Sequence, residues 1–135
     1  MTPALREQVR RRANDCCEYC LMPQHGTCLP HEVDHIRAQK HAGLSILENL
    51  AWACALCNGY KQSDIAGILP GTEQIVRLFH PRLDHWPDHF GWKEATLFGN
   101  TEIGQVTIYV LGINRPERLE HRHLLMRMKL FYTIE

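Results

Sequence analysis

Residues 17–20 read CEYC and residues 54–57 read CALC, two Cys-x-x-Cys pairs that bracket the middle of the chain. The two-residue gap lets both thiolates of one pair reach a single tetrahedral ion, and two such pairs complete a four-sulfur site. A redox dithiol would account for one pair but not for two. Cys17, Cys20, Cys54 and Cys57 are therefore expected to hold a structural zinc ion, joining segments that a small core would hold only weakly. Cys16 and Cys28 are left over from the six cysteines, and Cys16 stands beside Cys17 as a competing ligand.

Outward from the pairs, HEVDHI (31–36) and NLAWAC (49–54) read as two short strands, with RAQKHAGLSILE (37–48) as the loop between them. The stretch ALCNGYKQSDIAG (55–67) predicts a short helix ending at Gly67. Ahead of the first pair, Thr2 and Pro3 form a cap and first turn, and Leu5, Val9 and Ala13 recur at helical spacing, predicting a helix over 3–14. LMPQHGTCLP (21–30) carries the Pro and Gly of a turn. A strand alternates its side chains, so Asp34 and His35 must face opposite ways. An acid beside a base at a strand end is ordinary by itself; its neighbours decide what it means.

Residues 68–135 form a second region. A hairpin turn is expected at Pro70-Gly71, followed by a strand within LPGTEQIVRLFHPR. His85 and His89 sit one helical turn apart in an aromatic-rich stretch, without a further ligand at useful spacing, so polar packing is the expected role. Trp86, Phe90 and Trp92 are read as core residues and not as a base-stacking platform. For residues 101–113 a helix capped by Thr101 is preferred, although VTIYV favours strand by propensity. Asn114 with Glu117 three residues on predicts a capped start for a last helix, with Leu119, His123, Met126 and Leu130 as its apolar stripe.

Lys and Arg number 15, as do Asp and Glu, so the whole chain is neutral with uncharged histidines. That balance counts mildly against a general nucleic-acid binder, but its distribution is uneven. Arg6, Arg10, Arg11 and Arg12 crowd the start, and Arg115, Arg118, Arg122, Arg127 and Lys129 the end. Each cluster reads equally as a solvated helix face. The 135 residues suit one domain, with no apolar run of membrane-spanning length and no signal-peptide stretch at the start. A cytoplasmic setting with reduced thiols is expected.

The order of the motifs is the informative feature. Asp34-His35 lies between the pairs, Glu48-Asn49-Leu50 opens the second strand, and Cys57-Asn58-x-x-Lys61 opens the helix. This pattern, CEYC…VDHI…ENL…CALCN…K, resembles the HNH endonuclease family in its zinc-knuckle, beta-beta-alpha-metal form. The likeness covers residues 9–67, and the stretch from Asp64 through LFHPRLDHWPDHFGW resembles the extended form of small bacterial HNH proteins. The resemblance implies an α+β fold: a beta-beta-alpha-metal core with a four-cysteine zinc site, and a C-terminal hairpin and helices packed on it. Residues 1–135 would form one endonuclease domain, with a core about 9–67 and an extension about 68–135.

By the same resemblance Asp34 is a ligand of the catalytic divalent ion, His35 the general base, and Asn49 the residue whose amide braces the loop and orients the imidazole. Asn58 stands where the family name has histidine, and its amide oxygen would be the second metal ligand. Lys61 and Arg37 are candidate phosphate contacts. Elementary chemistry supports these roles: phosphodiester hydrolysis needs a nucleophile, charge neutralisation and help for the leaving oxygen. A neutral imidazole, with an ordinary pKa of about 6.5, is a competent base at cellular pH. An Asp oxygen with an Asn oxygen makes a hard, sparse site suited to Mg²⁺ or Mn²⁺, completed by waters and the substrate phosphate. Opposed strand residues let one side chain hold metal while its neighbour attends the attacking water. The expected activity is DNA nicking by a monomer or weak homodimer, leaving 5′-phosphate and 3′-hydroxyl ends. The alternative is a non-catalytic zinc-knuckle nucleic-acid-binding module. With few cations near the motif, Arg115, Arg118 and Arg122 are expected to add phosphate contacts from one face of the last helix.

Overall fold

Helix α1 (Pro3–Arg12) starts as its sequence dictates. In the computed structural model, which describes residues 1–135, the Thr2 hydroxyl accepts a hydrogen bond from the Leu5 amide at 3.1 Å and Pro3 fills the first turn. The helix ends where Asn14 and Asp15 turn to φ 52° and 56°. Val9 is fully buried against Leu50 and Trp52, with Leu5 and Ala13 packed around them. Burying one such valine contributes about 1.5 kcal/mol.

Strands β1 (Glu32–His35) and β2 (Leu50–Ala53) pair antiparallel, Glu32 opposite Ala53 and His35 opposite Leu50. All of β2 is buried, whereas β1 is covered only in part. The alternation sends Val33 toward the α1 cluster and Asp34 toward the helix that follows, α2 (Ala55–Lys61). At the start of α2 the Cys54 sulfur accepts from the Cys57 amide at 3.4 Å, so the second cysteine pair is also the helix cap. The helix stops at Lys61, short of the expected Gly67, because Gln62 takes φ 48°. Gly67 instead belongs to β3 (Ala66–Ile68), where a Cβ would come within 2.5 Å of Val110. It permits a close approach and does not end a helix.

The Pro70-Gly71 turn is present, Gly71 at φ 80°, and joins β3 to β4 (Ile75–Arg77). A short helix α3 (Trp86–His89) then leads into a hairpin of β5 (Phe90–Lys93) and β6 (Thr96–Gly99), which the aromatic-rich sequence did not announce. Residues 102–110 are helical: in α4 (Glu102–Val110) the Thr101 hydroxyl caps the Gly104 amide at 3.1 Å, and burial of Val106 and Thr107 overrides the strand propensity. The last helix, α5 (Pro116–Arg127), lacks the expected asparagine cap. Arg115 is its N-cap, and the Asn114 amide is spent on Leu97, accepting from its N–H at 3.1 Å and donating to its carbonyl at 2.6 Å. Its buried stripe is also not the predicted Leu119, His123, Met126 and Leu130 but Arg118, Arg122 and Leu125.

The fold is α+β, with three separate two-stranded ribbons and five α-helices. One core joins the four motif cysteines to Phe79, Phe90, Trp92, Leu97, Val106, Leu111, Leu125 and Phe131, so residues beyond 68 wrap the cysteine pairs. Trp92 and Phe90 are buried as expected, and half-buried Trp86 stacks on both. His89 bonds the Thr101 hydroxyl at 2.6 Å and packs edge-on against Phe79, the polar packing role anticipated for it. No helix is long and apolar enough to cross a membrane.

Candidate functional site

The first centre is sulfur. The Sγ atoms of Cys17, Cys20, Cys54 and Cys57 all lie within 4.8 Å of one another, every residue is buried, and Cys20 and Cys54 approach to 3.7 Å. A tetrahedral Zn–S bond of about 2.3 Å requires S···S edges of about 3.8 Å, so donors and spacing both fit a structural zinc ion. Cys16 stays out of the cluster, its thiol directed at the Asn14 carbonyl at 3.4 Å, and Cys28 is exposed.

Arg118 reaches this cluster from α5. Its Nη2 donates to Cys57 Sγ at 3.1 Å, with Cys54 Sγ at 3.9 Å, while Nη1 donates to the Leu111 carbonyl at 2.8 Å. Burial opposes its charge, and the surrounding sulfurs of Cys57, Cys20 and Cys54 outweigh burial and hold its pKa above the ordinary value. Arg122, one turn on, donates to the carbonyls of Ala95 and Ile113 and to Asn114 Oδ1; burial pushes its pKa down to about 10. The expectation that Arg118 and Arg122 present a phosphate-binding face is therefore wrong: they are 5% and 1% exposed. Their partners are sulfur, backbone oxygen and the Asn114 amide oxygen, which a helical-wheel reading of arginine as surface does not anticipate. Arg115 remains at the surface, paired to Glu117 at 3.0 Å.

The second centre is a groove of about 250 Å³ lined by Asp34, His35 and Asn58, with Gln39, Gln62 and Ser63 among its neighbours. Residues from β1 and α2 thus meet at one opening. Asp34 forms its deep wall: Oδ2 accepts from the Tyr19 hydroxyl at 2.6 Å and Oδ1 from Lys61 Nζ at 3.2 Å. Burial pushes the Asp34 carboxyl up, against the pull of Lys61 and of the Tyr19 hydrogen bond. Burial and the adjacent carboxylate push the Tyr19 phenol up in turn, keeping it a donor. Each carboxylate oxygen keeps a further lone pair.

Lys61 does not sit where a phosphate contact was expected. It is 1% exposed, and its ammonium is shared among Asp34 and the carbonyls of His35 and Ile36 at 3.3 and 3.1 Å. Its work is to tie the end of α2 to β1. Arg37 is exposed, its guanidinium touching the Ala42 carbonyl at 3.2 Å.

Asn58 is half-buried on α2, and its Nδ2 donates to the Glu32 carboxylate at 2.5 Å. That bond leaves Oδ1 as the free end of the amide. Oxygen donors from Asp34 and Asn58 fit a hard divalent cation. Asn49 spans the loop ahead of β2: Oδ1 accepts from the Arg37 amide, and Nδ2 donates to the carbonyls of Arg37 and Leu44, all at 2.9 Å. His35 Nε2 meets the Ser45 hydroxyl at 2.9 Å.

Tyr19, Glu32 and Ser45 were missed by sequence reasoning, and Arg118 was given the wrong role. Tyr19 had a signal, since it lies inside the first cysteine pair and so must point near whatever that pair encloses. Glu32 shares strand parity with Asp34, a second readable hint. Nothing in the sequence announced the roles of Ser45 and Arg118, whose contacts depend on loop closure and on the docking of α5.

Neither a curated protein nor a solved structure matches the chain. Residues 17–64, the span that contains both cysteine pairs and every candidate residue of the groove, match the family model described as HNH endonuclease.

Proposed function

We propose that the chain is a metal-dependent endonuclease that hydrolyses DNA phosphodiester bonds, with residues 1–135 working as one domain around a beta-beta-alpha-metal core of about 9–67. The observation that carries this reading is the meeting of Asp34, His35 and Asn58 at one groove within the HNH-matching segment. A nucleic-acid-binding module needs none of the three. Asp34 and Asn58 would hold Mg²⁺ or Mn²⁺ through oxygen, and such an ion supplies charge neutralisation at the phosphate. His35 takes the proton of the attacking water. Asn49 keeps the loop closed over the strand ends, and Arg37 is a surface contact for a neighbouring phosphate. Zinc at the four cysteines is structural. One groove per chain cuts one strand, so the product is a nick with 5′-phosphate and 3′-hydroxyl ends, made by a monomer or weak homodimer in the cytoplasm.

The test is relaxation of supercoiled plasmid in Mg²⁺, with EDTA and a His35→Ala control. The wild type should nick and EDTA should stop it. His35→Ala should lose about 10²–10⁴-fold in rate while keeping its zinc. A His35→Ala protein within tenfold of wild type would remove the base from the mechanism.

A further inference from the structure

The His35 imidazole makes one hydrogen bond, between Nε2 and the Ser45 hydroxyl at 2.9 Å, and none through Nδ1. We infer that Ser45 is a positioning residue for the proposed general base: its oxygen accepts from Nε2–H and holds His35 in the tautomer whose lone pair is on Nδ1. The inference rests on the reading of His35 as base. A hydroxyl can donate or accept, but only acceptance is compatible with that role. If Ser45 donated instead, the lone pair of Nε2 would be spent on it and Nδ1 would already carry the proton.

The loop that delivers Ser45 is built for the purpose. Asn49 fixes the Leu44 carbonyl, one residue before Ser45, and clamps both backbone groups of Arg37, two residues after His35. Ala42 takes φ 65°, and the Gly43 amide donates to the Ala38 carbonyl at 3.0 Å. A Cβ on Gly43 would lie 1.7 Å from the Arg37 carbonyl oxygen, so only glycine lets the loop close this tightly. Asn49 thus acts on His35 at one remove, with Ser45 as the final contact.

During hydrolysis the water proton passes to Nδ1 and the water oxygen bonds to phosphorus. The P–O3′ bond breaks, its electron pair leaves on O3′, and solvent protonates that oxygen. The imidazolium, still bonded to Ser45, then releases its proton to solvent. A hydrogen bond from a cationic ring is stronger than one from a neutral ring. Ser45 therefore contributes more in the transition state than in the ground state, and its loss should appear in kcat.

The experiment uses zinc-loaded protein comprising residues 1–135, labelled with ¹⁵N-histidine. Long-range ¹H–¹⁵N spectra at pH 8.5, with His35 assigned by its disappearance in His35→Gln, should show the Nε2–H tautomer. Ser45→Ala should mix the tautomers and lower kcat about three- to tenfold at unchanged KM for DNA, and Ser45→Thr should restore both. An Nδ1–H tautomer in the wild type, or wild-type kcat and spectrum in Ser45→Ala, overturns the role of Ser45 alone. Full cleavage by His35→Ala overturns the base reading and the Ser45 role with it.

Discussion

Replacing Arg118 with methionine keeps most of its length on α5 and removes the guanidinium from the sulfur cluster. Three contacts vanish, those to Cys57 Sγ at 3.1 Å and Cys54 Sγ at 3.9 Å and the 2.8 Å bond to the Leu111 carbonyl. Four thiolates around one divalent zinc carry net negative charge, and in this chain, where all four cysteines are buried, that charge would be buried too. Removing one partner from a buried ionic contact costs about 3–5 kcal/mol, because the other is left uncompensated. Loss of an outer partner of a metal ligand weakens metal binding by about 10–100-fold. Zinc affinity is measured by competition with a chromophoric chelator, and stability by urea unfolding at saturating zinc. Arg118→Met should lower both, and Arg118→Lys, which keeps charge without the planar fork, should fall between. The salt slope of DNA binding should stay near that of wild type, since a side chain 5% exposed meets no phosphate. Zinc affinity within threefold of wild type, with an unchanged unfolding midpoint, would refute the counter-charge reasoning; a flattened salt slope in a stable variant would return Arg118 to the surface.

Two further outcomes are expected. Lys61→Met should destabilise the fold by about 3–5 kcal/mol in urea titrations, because it strands the Asp34 carboxylate in a buried site; normal stability with weakened DNA binding would instead revive a phosphate contact. Asp84, gripped by Arg77 at 2.7 and 2.9 Å and by the His80 amide at 2.8 Å, has its pKa lowered to about 2, first by the Arg77 hydrogen bonds. A folded value below the unfolded one favours the ionised native state, so its contribution is full above the ordinary aspartate range and fades as pH falls through about 2. With Arg77 half exposed, that contribution is about 1 kcal/mol. The stability gap between wild type and Asp84→Asn should thus be open at pH 6 and narrow below pH 4, and a gap that widened on acidification would reverse the sign of the argument.

Short-range spacing carried most of what was readable. The cysteine pairs, both strands of the central ribbon, the Thr2 and Thr101 caps and the Pro70-Gly71 turn depend on residues within a few positions of one another, and the sequence displays them directly. What failed depends on distant partners. Asn114 looks like a helix cap until Leu97 offers a better pair of hydrogen bonds seventeen residues away. Lys61 looks like a surface cation until Asp34 and two carbonyls surround it. Arg118 and Arg122 look like the solvent side of an amphipathic helix because the pattern assumes an uncharged core. Here the core contains a cysteine cluster and backbone carbonyls that accept from the two guanidinium groups, and the stripe inverts. Asp34, His35 and Asn58 were legible as a set, whereas the groups that hold them were only partly so: Tyr19 and Glu32 through position, Ser45 not at all.

The enclosure of the cysteine cluster by α5 has a consequence for biosynthesis. The second cysteine pair leaves the ribosome at residues 54–57, but the arginine that covers it comes at 118 and the last core residue at Phe131. At about 5–20 residues per second, the nascent chain spends several seconds with its four thiols assembled but unroofed. A zinc ion would be able to load during that interval, before α5 docks against the cluster. Once α5 has docked, Arg118 ties it to Cys57 and Cys54, so the rate at which a bound zinc ion would escape should depend on the opening of a helix far from it in sequence.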